Sequence, residues 1–161
     1  VCIMERFANQ IRGMTVFKNI LVPHDGSDLS KGGLEKAVAL AKAVGARITG
    51  FHVALDVDST VRAYLPEAAY ISGDYKEQAE TAAKKHCAQI QQVCDKAGVP
   101  CKTHFVISEF VADEIVKAAK DHHCDLIAIA SHGRRGLARV MLGSETQKVL
   151  SQAEIPVLVM R

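Results

Sequence analysis

The stretch Asp125 to Ser144, DLIAIASHGRRGLARVMLGS, decides how the rest of the chain is read. Its first six residues form a short, nearly continuous apolar run, the pattern of a strand covered on both faces. Gly143-Ser144 then opens a helix to about Gln152, and Ile155 to Met160 (IPVLVM) reads as another short apolar strand. A buried strand that runs through a glycine-rich turn into a helix and then a second strand is a βαβ unit.

The same alternation extends back to the start. Phe17 to Pro23 (FKNILVP) reads as the first strand and is closed by HDGSD. Ser27 or Asp28 is suited to cap a helix over Leu29 to Val44, with Leu34, Ala37, Val38 and Ala41 on one side and Gly45 at its end. Arg47 to Leu55 (RITGFHVAL) is rich in β-formers. Asp74 to Ala97 reads as a long helix whose stripe of Ala79, Ala83, His86, Ile90, Val93 and Ala97 keeps spacings of three and four, and Gly98-Val-Pro100 stops it. Lys102 to Ile107 is a third strand. Glu109 to Asp121 is a helix with Ile115, Ala118 and Ala119 inward, and Asp125 to Ala130 is the fourth strand. Strands alternating with helices predict an α/β fold with a mostly parallel sheet and right-handed crossovers. The stretch Asp56 to Gly73 is long for a structureless connection and is expected to hold a short helix or to cover a site.

At 161 residues the chain suits one domain, expected over 14 to 161. Residues 1 to 13 lack the apolar core and cleavage site of a signal peptide and are expected to be a tail or an upstream start. Twenty basic and 18 acidic residues give a net charge of +2, with no general electrostatic reason to bind nucleic acid. No apolar run approaches the roughly 18 residues of a membrane-spanning helix. Five cysteines without a CxxC pair suggest neither a disulfide framework nor a thiolate zinc site, and they fit a reducing cytoplasm.

Ligands of open α/β sheets bind beyond the carboxyl ends of the strands, where the strand order reverses. Here those ends carry PHDGS, HVAL and ASHGRRG…GS. Small residues let backbone N–H groups approach phosphate oxygens, and Gly143-Ser144 supplies a helix N-terminus with its unpaired donors and dipole. Arg134, Arg135 and Arg139 are cations available to lie over phosphates. The pattern is neither a P-loop nor a dinucleotide GxGxxG, and the same residues also fit turn glycines, a plain helix cap and solvated arginines.

On these residues the chain resembles the universal stress protein family. KNILVPHDGSDLS is similar to that family's opening strand and turn, ITGFHV to its second strand, and DLIAIASHGRRGLARVMLGSETQKVLSQAEIPVLVM to its closing third. The resemblance implies a three-layer, five-stranded parallel sheet of order 3-2-1-4-5 with helices on both faces, of the adenine nucleotide alpha hydrolase-like type. It implies a cytoplasmic ATP-binding regulator of the stress response, possible use of Mg²⁺, and a homodimer that pairs final strands, here Ile155 to Met160. It further implies adenine and ribose contacts from Pro23, Asp25, Val53 and Ile129, with Asp25 on the ribose hydroxyls. The triphosphate would lie on Ala130, Gly133, Gly143 and Ser144, with Arg134 among the cations over it. Ala130 departs from the glycine of the family pattern, and its methyl group matters if the position needs positive φ or very close phosphate approach.

Two rival classes stay open: a slow Mg-dependent ATPase or phosphoryl-transfer enzyme, for which Asp25 is the one clear carboxylate near the site, and a partner-binding member with a closed pocket. No residue is assigned a catalytic or metal-ligating role. His24, His52 and His132 lie near predicted strand ends and are expected to cluster at the site. His122-His123-Cys124 has no partner at zinc spacing and reads as a helix C-terminus in contact with the dipole. Cys87 and Cys94 read as small buried hydrophobes, and Asp113-Glu114 and Glu77-Glu80 as solvated faces or first-turn partners of the helix dipole.

Overall fold

The computed structural model describes residues 16–56, 72–131 and 142–161, with the side chains of 72–75 outside the description. Its elements are β1 Asn19–Pro23, α1 Asp28–Val44, β2 Arg47–Ala54, α2 Ser72–Ala97, β3 Cys101–Ile107, α3 Val111–Asp121, β4 Leu126–Ala130, α4 Ser144–Gln152 and β5 Val157–Met160. The five strands form one sheet of order β3-β2-β1-β4-β5, and every pairing is parallel.

Strand alternation divides the core into two layers. Ile20, Val22, Ile48, Leu126 and Ala128 face Leu34, Ala37, Val38 and Ala41 of α1 and Ile90 and Cys94 of α2. On the other face Leu21, Phe51, Ile127 and Ile129 meet Ala112, Ile115, Ala118 and Ala119 of α3 and Val149 of α4. Each fully buried Ile, Leu or Val contributes about 1.5–3 kcal/mol through the water it sheds. The central strands therefore hold both helical layers to one sheet.

Several boundaries differ from the sequence expectation for local physical reasons. Among the described residues β1 starts at Asn19, not Phe17, and β5 at Val157, because Pro156 has no N–H to donate to a ladder. Helix α2 begins at Ser72, so the last two residues of the long connection are helical, while residues 57–71, where a short helix or a cover was expected, lie outside the described residues. The inward line of α2 runs through Ala83, Cys87, Ile90 and Cys94, all buried, with His86, Val93 and Ala97 flanking it. The two cysteines thus sit in the middle of the apolar face. Helix α3 starts at Val111, and its cap residue Phe110 offers no side-chain acceptor. Glu145 of α4 supplies one instead, its Oε2 accepting the Ala112 N–H at 3.1 Å.

The amino end of the sheet is closed by a hydrogen-bonded hub around buried Asn19. Its Nδ2 donates to the His122 carbonyl at 2.9 Å and to Cys124 Sγ at 3.3 Å, while its Oδ1 accepts from Thr49 Oγ1 at 2.9 Å. Asp125 accepts from the Lys18 N–H at 2.7 Å and the Asn19 N–H at 3.0 Å. The His122-His123-Cys124 turn is thereby tied into the structure. His123 adopts a left-handed φ of 52°, and the His122 ring stacks on His104 of β3 with centroids 4.0 Å apart and planes 18° from parallel. The imidazole of His122 therefore has a specific aromatic partner beyond the helix dipole expected from sequence.

Candidate functional site

The strand order reverses at β1, which has β2 on one side and β4 on the other. The β1–β2 ladder continues to Pro23↔Phe51, and the His24 N–H donates to the Phe51 carbonyl at 2.9 Å. The β1–β4 ladder pairs only Ile20↔Leu126 and Leu21↔Ile127. Beyond it β4 follows β5, through Ala130↔Met160 and then the Ser131 N–H to the Met160 carbonyl at 2.8 Å. The carboxyl ends of β1 and β4 are thus each held by their outer neighbours, at the switch point where open α/β sheets bind their ligands.

On the β1 side, Asp25 Oδ1 accepts from the Ser27 N–H at 3.0 Å and the Ser27 hydroxyl at 2.7 Å. Ser27 Oγ in turn accepts the Ser30 N–H at 3.1 Å, which caps α1. The carboxylate is therefore oriented by the residue that starts the helix. Gly26, at φ 81°, lets the turn pass beneath His86: a Cβ there would lie 2.2 Å from His86 Cε1. His86 sits 4.6 Å from the His52 ring and 6.0 Å from the His24 ring, centroid to centroid. His52 Nδ1–H donates to the His24 carbonyl at 2.6 Å, and His24 Nδ1 bonds the Ser30 hydroxyl at 2.9 Å. Burial pushes the His24 imidazole below its ordinary value; Asp25 opposes this, and the neighbouring His86 and His52 add to it.

The β4 side is built by three bonds. Thr146 Oγ1 donates to the Ala130 carbonyl at 3.0 Å, the Gly143 N–H donates to the Ser131 carbonyl at 2.8 Å, and the Gln147 N–H donates to the Gly143 carbonyl at 3.0 Å. Ser131 and Gly143 are therefore adjacent, and α4 starts directly beside the end of β4. Because Ser131 holds the Gly143 N–H, the donors that α4 can turn toward an anion are those of Ser144, Glu145 and Thr146, which have no acceptor within the helix. Ser144 is exposed. Glu145 is turned away toward α3 and Lys148, whose Nζ lies 2.9 Å from Glu145 Oε1.

Ala130 is the residue on which the glycine pattern turned. It ends β4 in strand conformation, and among the described residues His123 is the one non-glycine at positive φ. Its Cβ is 3.4 Å from where a Cβ on Gly33 of α1 would stand. The methyl group therefore points into the α1 layer, and a small residue on each side lets helix and strand approach.

Of the sequence-predicted contacts, Pro23, Asp25, Ala130, Gly143 and Ser144 are brought to the parting strand ends. Val53 and Ile129 lie on the α3/α4 face of the sheet, Ile129 buried and Val53 partly so. Gly133 and Arg134, and with them His132, lie outside the described residues. Of the expected cluster of His24, His52 and His132, the first two share a neighbour, His86, which counted in the sequence only as part of a helical stripe. Its signal was a histidine on an otherwise apolar inward line. Among the described residues no group of three His, Cys, Asp or Glu is placed to hold a metal ion, and no helix is long and apolar enough to cross a membrane.

Known proteins share both the sequence pattern and this architecture. The chain is 35% identical over 153 residues to the universal stress protein MJ0531 of Methanocaldococcus jannaschii, covering 92% of this chain and 85% of the relative. It is 33% identical over 150 residues to the universal stress protein YxiE of Bacillus subtilis, covering 91% of this chain and 100% of the relative. The solved structure of the hypothetical protein MJ0577 superposes with a TM-score of 0.72 at 26% identity, over 89% of this chain and 94% of that one. At lower identity the fold is shared with a universal stress protein solved in complex with cAMP (TM-score 0.60, 20% identity, 90% of this chain and 97% of that one). It is also shared with one from Archaeoglobus fulgidus solved in complex with dAMP (TM-score 0.64, 19% identity, 92% and 100%). The model of the universal stress protein family matches residues 17–161, from the first strand to the last residue, so the chain belongs to that family.

Proposed function

We propose that this protein is a cytoplasmic, homodimeric regulator of the stress response that binds ATP at the switch point between β1 and β4, as one domain over residues 14 to 161. The observation that carries the reading is an oriented carboxylate just after β1, Asp25, together with a helix N-terminus that starts beside the end of β4, the first turn of α4, on the two strands that flank the switch point. A carboxylate accepts both hydroxyls of a ribose, and a helix N-terminus attracts phosphate. The universal stress proteins solved with cAMP and with dAMP support an adenine nucleotide as the ligand class.

In this reading Pro23, Val53 and Ile129 contact adenine and Asp25 contacts the ribose. Ala130, Gly133, Gly143 and Ser144 line the phosphates, with Arg134 over them. Gly143 contributes through close backbone approach, since its N–H is held by Ser131. Mg²⁺ would arrive on the triphosphate and keep several of its waters, so it needs no all-protein cage.

The dimer has a physical motive. Among the described residues β5 pairs only with β4, and Leu158 on this four-residue strand is 39% exposed. An apolar edge strand is an aggregation hazard that a two-fold partner removes. Native mass spectrometry of the purified chain with and without Mg-ATP tests both parts. A dimer that gains one nucleotide per subunit is the expected spectrum; a monomer unaltered by excess ATP contradicts the proposal. ATP at 100 times its Kd should also raise stability by about 2.7 kcal/mol.

A further inference from the structure

Helix α3 ends in a turn that places a histidine where glycine is usual. The Cys124 N–H donates to the Ala119 carbonyl at 2.8 Å and the His123 N–H to the Lys120 carbonyl at 3.1 Å, the bonds of a helix end whose next residue is left-handed and most often glycine. Here that residue is His123, at φ 52°. A side chain in the left-handed region persists where the surroundings fix the backbone beside it. His122 supplies two such contacts: its carbonyl accepts from Asn19 Nδ2 at 2.9 Å, and its ring stacks on His104 with centroids 4.0 Å apart. The first reaches the buried centre of the sheet and the second its edge, since among the described residues β3 pairs with β2 alone.

We propose that the His104–His122 stack is a proton-operated latch: it holds the turn at the end of α3 against the edge strand β3 while at least one ring is neutral, and acid opens it by charging both. A neutral imidazole can stack face to face on a neutral or a charged one, whereas two imidazolium rings at this distance repel. An imidazole lone pair lies in its own ring plane, so two rings stacked 18° from parallel do not aim at one cation. The pair is therefore arranged to respond to protons and not to hold a metal.

The charged groups around the pair do not relieve that repulsion. Burial of the His104 ring opposes a charge there, and so do His122 and then Lys102, two residues along the same face of β3. From β2, Arg47 acts on Cys124 in the same turn. Asp125 acts on Cys124 as well, but its two oxygens are taken by the Lys18 and Asn19 N–H groups. Lys120, Asp121 and His123, beside His122, are exposed to solvent, which screens them. His104 thus takes its proton below the ordinary 6.5, so the latch is closed above that pH. The open form binds more protons than the closed one, and its share grows as pH falls. The Asn19 amide does not titrate, so β1 and β4 stay joined while the turn loosens. The latch stands apart from the residues proposed to bind nucleotide.

The test is NMR on the folded full-length chain from about pH 7.5 to about pH 5, following the imidazole C–H resonances and, by hydrogen exchange, the amide protection factors. Protection of the His122, His123 and Cys124 amides, whose acceptors lie in the last turn of α3, should fall about tenfold further than that of Ile20 to Val22 between about pH 6.5 and about pH 5. His104→Phe and His122→Phe each keep a ring in the stack and remove one charge, and each should hold that protection level with the core. In His122→Phe the His104 value should also move up toward 6.5, because one of the charges opposing it is gone. Protection of the three turn amides that tracks the core throughout the wild-type titration would overturn the proposal with no variant having to fold. An equal acid loss in His104→Phe would overturn it too.

Discussion

The two ends of the sheet use polar residues in opposite ways. At the amino end Asn19, Thr49, Asp125 and the His122 carbonyl bond one another across β1, β2 and the turn before β4, so buried polar groups there lock strands together. At the carboxyl end the β1–β4 ladder stops after Leu21↔Ile127, and Asp25 and the α4 N-terminus are positioned just beyond the strand ends. The same sheet thus has a sealed end, where substitution should cost stability, and an open end, where it should cost binding. The contrast can be broken from either side.

The largest effect is expected at the sealed end. Asn19→Ala removes both side-chain donors and the acceptor for Thr49 inside the protein, which should cost about 3 kcal/mol. Urea unfolding should show this as a lower midpoint at unchanged slope, while nucleotide affinity of the folded fraction stays near wild type. At the open end Asp25→Asn keeps an oxygen for Ser27 but removes the charge. Calorimetric titration should find ATP binding about tenfold weaker, or roughly 1.4 kcal/mol, with the unfolding midpoint little changed.

Ala130→Gly separates the two ends most sharply. If the methyl group serves the contact with Gly33, removing it should lower stability by about 1 kcal/mol through lost burial and added chain entropy, and leave ATP affinity within about twofold. A large gain in affinity would mean that the methyl obstructs phosphate after all. The smallest effect is the pH dependence from His24. Its folded value lies below the ordinary 6.5, so below 6.5 the unfolded chain binds more protons than the folded one. Stability should then fall as pH drops below 6.5 and level off beneath the folded value. His24→Asn, followed by thermal melts across that range, should flatten this part of the profile.

The layout of strands and helices was legible because it depends on local signals: apolar runs, cap residues and spacings of three and four. The site was legible in part. Strand ends and a helix start can be located along one chain, so the segments PHDGS, HVAL and ASHGRRG…GS could be marked from the sequence, while the single residues Pro23, Asp25, Ala130, Gly143 and Ser144 came from the family resemblance. What faces each of them could not. The methyl of Ala130 is accommodated by Gly33, nearly a hundred residues earlier, and His86 reaches His52 because α2 crosses β2 there. The bond from the Gly143 N–H to Ser131, which removes one expected phosphate donor, is likewise a contact between the two ends of a long connection. Glu145 looks like a first-turn partner of its own helix dipole, yet it caps α3.

Amide NMR spectra recorded during an ATP titration test the central claim most directly, because they report both ends of the sheet at once. The account predicts shifts at residues 24–27, at Ala130 and Ser131, and at Gly143 to Thr146, with Asn19, Thr49 and Asp125 unmoved. Shifts concentrated at the Asn19 end, or none at saturating ATP, would contradict it.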